Sequence, residues 1–333
     1  MAQDDVPEVV RIAMELMEVD STSGREQEVV MRAEQLLARR GWEVRRIPVR
    51  DGRDDLLATA NGATTVTLST HLDTVPPYIP PRLEGGRLWG RGSCDAKGIA
   101  AAQILAAERL RARGVAVALL FVVGEERWHD GAHAANAVAT TSRVLINGEP
   151  TERMLATGTK GAIRFTLRTR GEAAHSAYPE RGRSAIDALV ALLAELPGLD
   201  LPSDDVLGRM TVNVGTIAGG VADNVVAPDA EATLMARLVT PVEAGEALLR
   251  RWVGDRAELD VRAAFDPVRC ATLDGFRTGA LSYGTDIPQL SAWGTPYLFG
   301  PGSIHVAHRD DEHVDVAELQ AAVDDYETIA LRA

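Results

Sequence analysis

Two imidazoles and four carboxylates stand out in this chain: His71, Asp95, Glu125, Glu126, Glu149 and His308. They are far apart in sequence, yet each lies in a Gly- or Pro-punctuated loop just after an apolar run. Imidazole nitrogens and carboxylate oxygens are the donors that zinc and similar cations accept. Together they form the ligand inventory of a two-metal hydrolytic centre with one carboxylate left over as a base. Glu125 and Glu126 follow the run VAVALLFVVG. Two adjacent carboxylates after a buried strand are costly unless a cation compensates them. A cation would also split their roles, one ligating and the other remaining free as base. Asp95 lies in GRGSCDAKG, where glycines allow close backbone approach and a carboxylate could bridge two metals. Asp73, two residues after His71, could fix the imidazole tautomer. Spacing alone does not choose among His305, His308 and His313. His129 and His133 read as loop or surface residues.

The elements that must position these groups alternate between strand and helix. Residues 6–19 carry apolar side chains at helical spacing, and Ser23 with Glu26 reads as a capping box opening a second helix through Arg40. WEVRRIPV, VTLST (66–70), VAVALLFVVG (115–124) and VLING (144–148) read as strands, and 97–113 as a long Ala-rich helix. Near-continuous apolar runs are expected of central strands covered on both faces. The pattern predicts a doubly wound α/β domain, in which ligands gather at the carboxyl ends of the strands. His71, Glu125, Glu126 and Glu149 occupy such positions. After about residue 158 the order becomes β-α-β-β-α-β, the ferredoxin-like arrangement. The chain therefore divides into a catalytic domain, 1–157 and 267–333, and an inserted α+β domain, 158–266. Loop 72–92 is the one long stretch without clear periodicity.

Composition narrows the function classes. The chain has 333 residues, 46% of them hydrophobic, which favours two domains. A net charge of −13 argues against nucleic acid and anionic membranes as partners. No apolar stretch reaches the roughly 20 residues of a membrane helix. The acidic N-terminus does not resemble a signal peptide. With two cysteines, Cys94 and Cys270, a disulfide framework is excluded and the expected location is cytoplasmic.

The motifs STHLDTVP, GRGSCDAKG, VVGEE, NGEPT, AAHSAYPERGRSAIDAL, GGVADNVVAPDAEATLMARL and GPGSIHVAHRDDEHV occur in that order over nearly the whole chain. In them the sequence resembles the M20 family of co-catalytic zinc peptidases and deacylases, which includes acetylornithine deacetylase, succinyl-diaminopimelate desuccinylase and carboxypeptidase G2. The resemblance implies that His71 and Glu149 hold one metal, Glu126 and His308 the other, with Asp95 bridging. It selects His308 because that histidine precedes the element Arg309-Asp310-Asp311-Glu312. It makes Glu125 the general base and Asp73 the orienter of His71. It implies a dimer formed through the inserted domain, a lid and dimerisation element, whose His175 reaches the partner subunit's site as an oxyanion donor. Asn224 and Arg237 become substrate-binding residues, Arg237 toward an α-carboxylate, and Lys160 a further residue facing the cleft. The expected reaction is amide hydrolysis of an N-acyl amino acid, as in acetylornithine deacetylase, with a dipeptidase, carboxypeptidase or desuccinylase as the alternative. Two divalent metals are expected, zinc first, with cobalt or manganese also accepted by such ligands.

Overall fold

The computed structural model describes residues 6–60 and 63–333. The first five residues, the start of the acidic N-terminus, lie outside the described residues. The chain forms two compact units. One comprises the chain up to Thr157 with Arg269–Gly279 and Thr285–Ala333; the other comprises Gly158–Val268 with Ala280–Gly284.

The first unit is built on a six-stranded mixed sheet. Its order is Glu43–Arg50, Arg53–Thr59, Val117–Val122, Val66–His71, Val144–Asn147, Thr295–Leu298. The last four strands are parallel neighbours, and Arg53–Thr59 runs antiparallel to the strands on both sides of it. Strand Val117–Val122 explains why its sequence is apolar throughout. Val117, Leu119 and Phe121 join one hydrophobic cluster, and Ala118, Leu120 and Val122 join another. Full burial of each large side chain contributes about 1.5–3 kcal/mol. The first cluster includes residues of helices Glu8–Met17, Gln27–Arg39, Lys97–Ala112 and Val316–Arg332. The second includes Ala132 and Ala135 of helix Asp130–Asn136, with Leu290 and Trp293. Helices on both faces make the unit doubly wound. No helix among the described residues is long and apolar enough to cross a membrane.

Two local expectations change. The second helix begins at Gln27, with Glu26 as N-cap and no side-chain cap. Ser23 instead donates its hydroxyl to Asp73 Oδ2 at 2.7 Å, and Glu26 accepts the Gly24 N–H at 2.8 Å. The capping box is absent because Ser23 is bound to a residue 50 positions away. Strand Arg53–Thr59 is not evident in the sequence because its polar residues are buried for specific reasons. Arg53 pairs with Glu26 at 3.3 Å and with Asp130, and Asp55 accepts the Val123 N–H at 3.0 Å. Loop 72–92 also contains a hairpin, Arg82–Glu84 and Arg87–Trp89, which pairs with His313–Asp315. Its turn, Gly85-Gly86, has positive φ at both residues (61° and 76°), as a two-residue hairpin turn requires.

The second unit runs Gly161–Arg170, helix Ala185–Leu193, Thr211–Gly219, Asp229–Leu238, helix Val242–Val253, Glu258–Phe265. The strand order is Thr211–Gly219, Asp229–Leu238, Gly161–Arg170, Glu258–Phe265, all antiparallel, which is the ferredoxin-like topology. Ile163, Phe165, Leu167, Leu234 and Ala236 form its core with Leu189 and Leu249 from the two helices.

Candidate metal centre

The parallel strands of the first unit end in register. His71 is paired with Val122, and Ser69 with Asn147, so the loops after these three strands open at one edge of the sheet. His71 closes its strand, Glu125 and Glu126 follow Val122, and Glu149 follows Asn147. Ligand atoms of His71, Asp95 and Glu126 lie within 4.8 Å of one another. His71 Nε2 is 3.0 Å from Asp95 Oδ1, and His308 Nε2 is 3.3 Å from Asp95 Oδ2. The two oxygens of Asp95 thus face two different imidazoles. His308 Nε2 is also 3.0 Å from Glu126 Oε1. His308 adopts φ +65°, a conformation uncommon outside glycine and a mark of local strain.

The electrostatics of the set call for positive charge. Burial pushes the Glu125 and Glu149 carboxyls well above their ordinary range, and Glu126 is raised by the same cause together with Asp95. Hydrogen bonds to Asp95 and Glu126 push His308 up to about 10. Burial alone would lower His71, but hydrogen bonds to Asp73 and Asp95 outweigh it and hold the imidazole well above its usual value. Glu149 Oε1 is buried without a hydrogen-bond partner. An orphaned carboxylate oxygen, four crowded carboxylates and two imidazoles fit divalent cations: the donors are of the right type, and cations offset the burial of like charges. These residues could therefore hold metal.

Asp73 is fully buried, and its role is broader than orienting one imidazole. His71 Nδ1 is 3.0 Å from the Asp73 backbone carbonyl and 3.5 Å from its Oδ1. The carboxylate chiefly accepts the N–H of Glu125 at Oδ1 (3.0 Å) and that of Glu126 at Oδ2 (3.1 Å), besides the Ser23 hydroxyl. It thereby fixes the turn that carries two candidate site residues. Glu312, quoted above only as part of a motif, is buried and equally busy. Its Oε1 accepts the N–H groups of Gly92, Cys94 and Asp95 at 3.0, 3.1 and 3.1 Å, and its Oε2 accepts Arg91 Nη1 at 2.6 Å. His129 is not an ordinary surface residue. Its Nδ1 is 2.8 Å from Asp286 Oδ1 and 3.8 Å from Glu125 Oε1. Its placement four residues after Glu125 was the only signal in the sequence, and a loop gives that spacing no fixed meaning.

The remaining candidates lie in the second unit. His175 bridges Val225, Ser176 donates its N–H to the Asn224 carbonyl at 3.0 Å, and Ala177 donates its N–H to His175 Nδ1 at 3.1 Å. The structure thus brings the His175 and Asn224 loops together. Arg237 lies on strand Asp229–Leu238 between Thr211 and Ala162, and burial lowers its pKa. Lys160 is buried, and its Nζ donates to the Arg209 carbonyl at 2.6 Å.

Comparison with known proteins agrees with this architecture. Residues 157–262 match the peptidase dimerisation domain of the M20 family. A peptidase M20 domain-containing protein of Schizosaccharomyces pombe is 36% identical, over 97% of this chain and 84% of its own length. A probable carboxypeptidase of Aspergillus terreus is 38% identical over 94% of this chain and 83% of its own. The YXEP protein of Bacillus subtilis, described as a dinuclear metal-binding peptidase of the M20 family, shares the fold: TM-score 0.74 and 17% identity, over 97% of this chain and 96% of that one. With its doubly wound unit, ferredoxin-like unit and cluster of metal-type ligands, the chain belongs to the M20 peptidase family and is a metal-dependent hydrolase.

Proposed function

We propose that the chain cleaves the amide bond of a small peptide or N-acyl amino acid that retains a free α-carboxylate, with Glu125 as general base. The observation that carries this reading is the position of Glu125. It lies next to Glu126 but outside the group formed by His71, Asp95 and Glu126, its own acid–imidazole neighbours being His129 and Asp286, and its backbone is fixed by Asp73. His71 and Glu149 would hold one divalent cation, Glu126 and His308 the other, and Asp95 would bridge them. Zinc is the first choice and cobalt or manganese the alternatives. When bound, such ions supply Lewis-acid activation of water and of the substrate carbonyl. Glu125 takes the proton of the attacking water and returns it to the leaving nitrogen. Its burial raises its proton affinity, as suits a base that must also act as an acid. Asp73 and Ser23 keep the Glu125-Glu126 turn from rotating. His175 stabilises the developing oxyanion from a partner subunit, and Arg237 with Asn224 receives the substrate carboxylate. Lys160, whose Nζ donates to the Arg209 carbonyl and lies in the field of Arg237, adds a further positive group to that wall.

Dimerisation is part of the reading. Edge strand Thr211–Gly219, the turn that follows it and helix Ala185–Leu193 expose Ile217, Val221, Ile186 and Val190, apolar residues that a monomer would leave in water. A cytoplasmic location belongs to the same reading, resting on the sparse cysteines. An acetylornithine deacetylase-like activity and a peptidase activity would share this chemistry. Fungal relatives named probable carboxypeptidases support the peptide bond as the target. The deciding assay presents N-acetylornithine, N-succinyl-diaminopimelate, free-acid dipeptides and their C-terminal amides to the zinc-loaded protein. Cleavage of the free-acid dipeptides, lost with chelator and restored by zinc, is the expected result. No turnover anywhere in the panel would remove the reading.

A further inference from the structure

His129 has no part in the chemistry described so far, yet its surroundings are built. Gly124, at φ +74°, turns the chain sharply, and its carbonyl accepts the N–H of both Trp128 and His129 (2.9 and 2.8 Å). A side chain at Gly124 would meet Asp130 Oδ1 at 2.3 Å, so the turn requires glycine. The turn brings His129 back toward Glu125 at the start of helix Asp130–Asn136, where it takes φ +53°. From the far side, Asp286 accepts from its ring. Asp286 is buried and sits at the start of the 3-10 turn Ile287–Gln289.

We propose that His129, oriented by Asp286, is a positioning residue for the Glu125 base. The inference rests on the assignment of Glu125 made above. Nδ1 donates to Asp286 at 2.8 Å, and the same nitrogen stands 3.8 Å from Glu125 Oε1, within reach of charge but beyond a hydrogen bond. Held there by Asp286, the protonated imidazole places positive charge next to the base carboxylate and so restricts its swing. The charge is available at neutral pH: burial would lower the imidazole, but the hydrogen bond to Asp286 and the negative charges of Asp286, Glu125 and Asp73 together outweigh it and raise His129 to about 9. Asp286 is thus the anchor, His129 the arm and Glu125 the group that meets substrate.

The experiment compares His129→Ala, His129→Asn and Glu125→Gln in the zinc-loaded full chain on the best substrate of the panel above. Metal content is measured on each protein. Asn is informative because its Nδ2 can occupy the place of the histidine Nδ1 as a neutral donor. The expected result is a kcat drop of about tenfold to a hundredfold in His129→Ala and a smaller drop in His129→Asn, with KM and bound metal unchanged. A purely structural residue would not give this graded, kcat-only response. Should His129→Ala fail to fold, a reduced kcat in His129→Asn at unchanged KM and metal content supports the proposal. Wild-type kcat in His129→Asn overturns it, as does activity that falls in step with lost metal. Glu125→Gln separates the two assignments. If it retained wild-type kcat, the base assignment itself would fall. Wild-type activity in both His129 variants beside an inactive Glu125→Gln would overturn only the role of His129.

Discussion

Asp95 donates its backbone N–H to Oε1 of Glu312 at 3.1 Å, which ties the loop bearing one candidate ligand to the loop bearing His308. The same oxygen holds Gly92 and Cys94, so segment 91–95 wraps around a single carboxylate. Glu312 and Arg91 are each 1% exposed. Breaking such a buried pair costs about 3–5 kcal/mol. Glu312→Gln keeps an acceptor for the three N–H groups but leaves Arg91 uncompensated. Urea unfolding should show a loss of about 3 kcal/mol or more, and metal should dissociate more readily in a competition titration with a chromophoric chelator. Wild-type values in both would show that the clamp is dispensable.

Asp73 makes a second prediction. In Asp73→Asn an amide N–H₂ would oppose the N–H of Glu125 or Glu126, whichever side it took. Activity should fall about tenfold to a hundredfold. Ser23→Ala removes one neutral donor and should lower stability by only about 1 kcal/mol. Steady-state kinetics and chemical denaturation on the two variants test the order.

The pH dependence of stability has a definite sign at His129. Its ordinary pKa of 6.5 rises to about 9 in the folded chain, where the hydrogen bond to Asp286 and the charges of Asp286, Glu125 and Asp73 together outweigh burial. Below 6.5 the imidazole is protonated in both states and the stabilisation is complete. Between 6.5 and about 9 only the folded state holds the proton, so stability falls as pH rises. The difference in unfolding free energy between wild type and His129→Asn should therefore shrink across that window. A difference independent of pH would contradict the assignment.

Arg237 should act on substrates with a free α-carboxylate. Losing a charge-assisted pair costs about 1.5–3 kcal/mol, so Arg237→Ala should lower kcat/KM on a free-acid dipeptide about tenfold to a hundredfold. The same change should scarcely affect any residual cleavage of the C-terminal amide. Equal kcat/KM for wild type and variant on the free acid would remove this role.

The exposed apolar edge of the second unit predicts association. Val221 is 71% and Ile217 58% exposed. Introducing charge in Val221→Asp with Ile217→Lys should turn a dimer into a monomer in sedimentation. A monomeric wild-type protein would instead undermine a role for His175 in a partner's site.

Much of this architecture was legible in the sequence. Val117–Val122 is apolar because both its faces are covered, and a two-sided core leaves that trace in any sequence. His71, Glu125 and Glu149 could be placed at strand ends because each follows such a run. The polar strand Arg53–Thr59 could not be seen, because the partners of its buried polar groups are distant in sequence: Glu26 and Asp130 for Arg53, and the Val123 N–H for Asp55. Ser23 departs from its sequence signature for a related reason. Its spacing to Glu26 has the form of a local cap, but its bond goes to Asp73. Glu312 was visible as part of a motif, yet its four hydrogen bonds depend on a fold that brings 91–95 against it. His129 reads as a loop or surface residue because its partner, Asp286, is 157 residues away.

Strand Val117–Val122 has one further consequence. Its alternate residues are sunk in two separate cores, so it resembles a beam built into walls on both sides. Glu125 and Glu126 project just beyond its end. Such a support resists bending in either direction, and repacking of one core is opposed by the other. A volume change at Leu119 or at Leu120 should therefore be felt at the two glutamates from opposite sides. The proposed base and its neighbour would then form a fixed anvil, against which a substrate is brought.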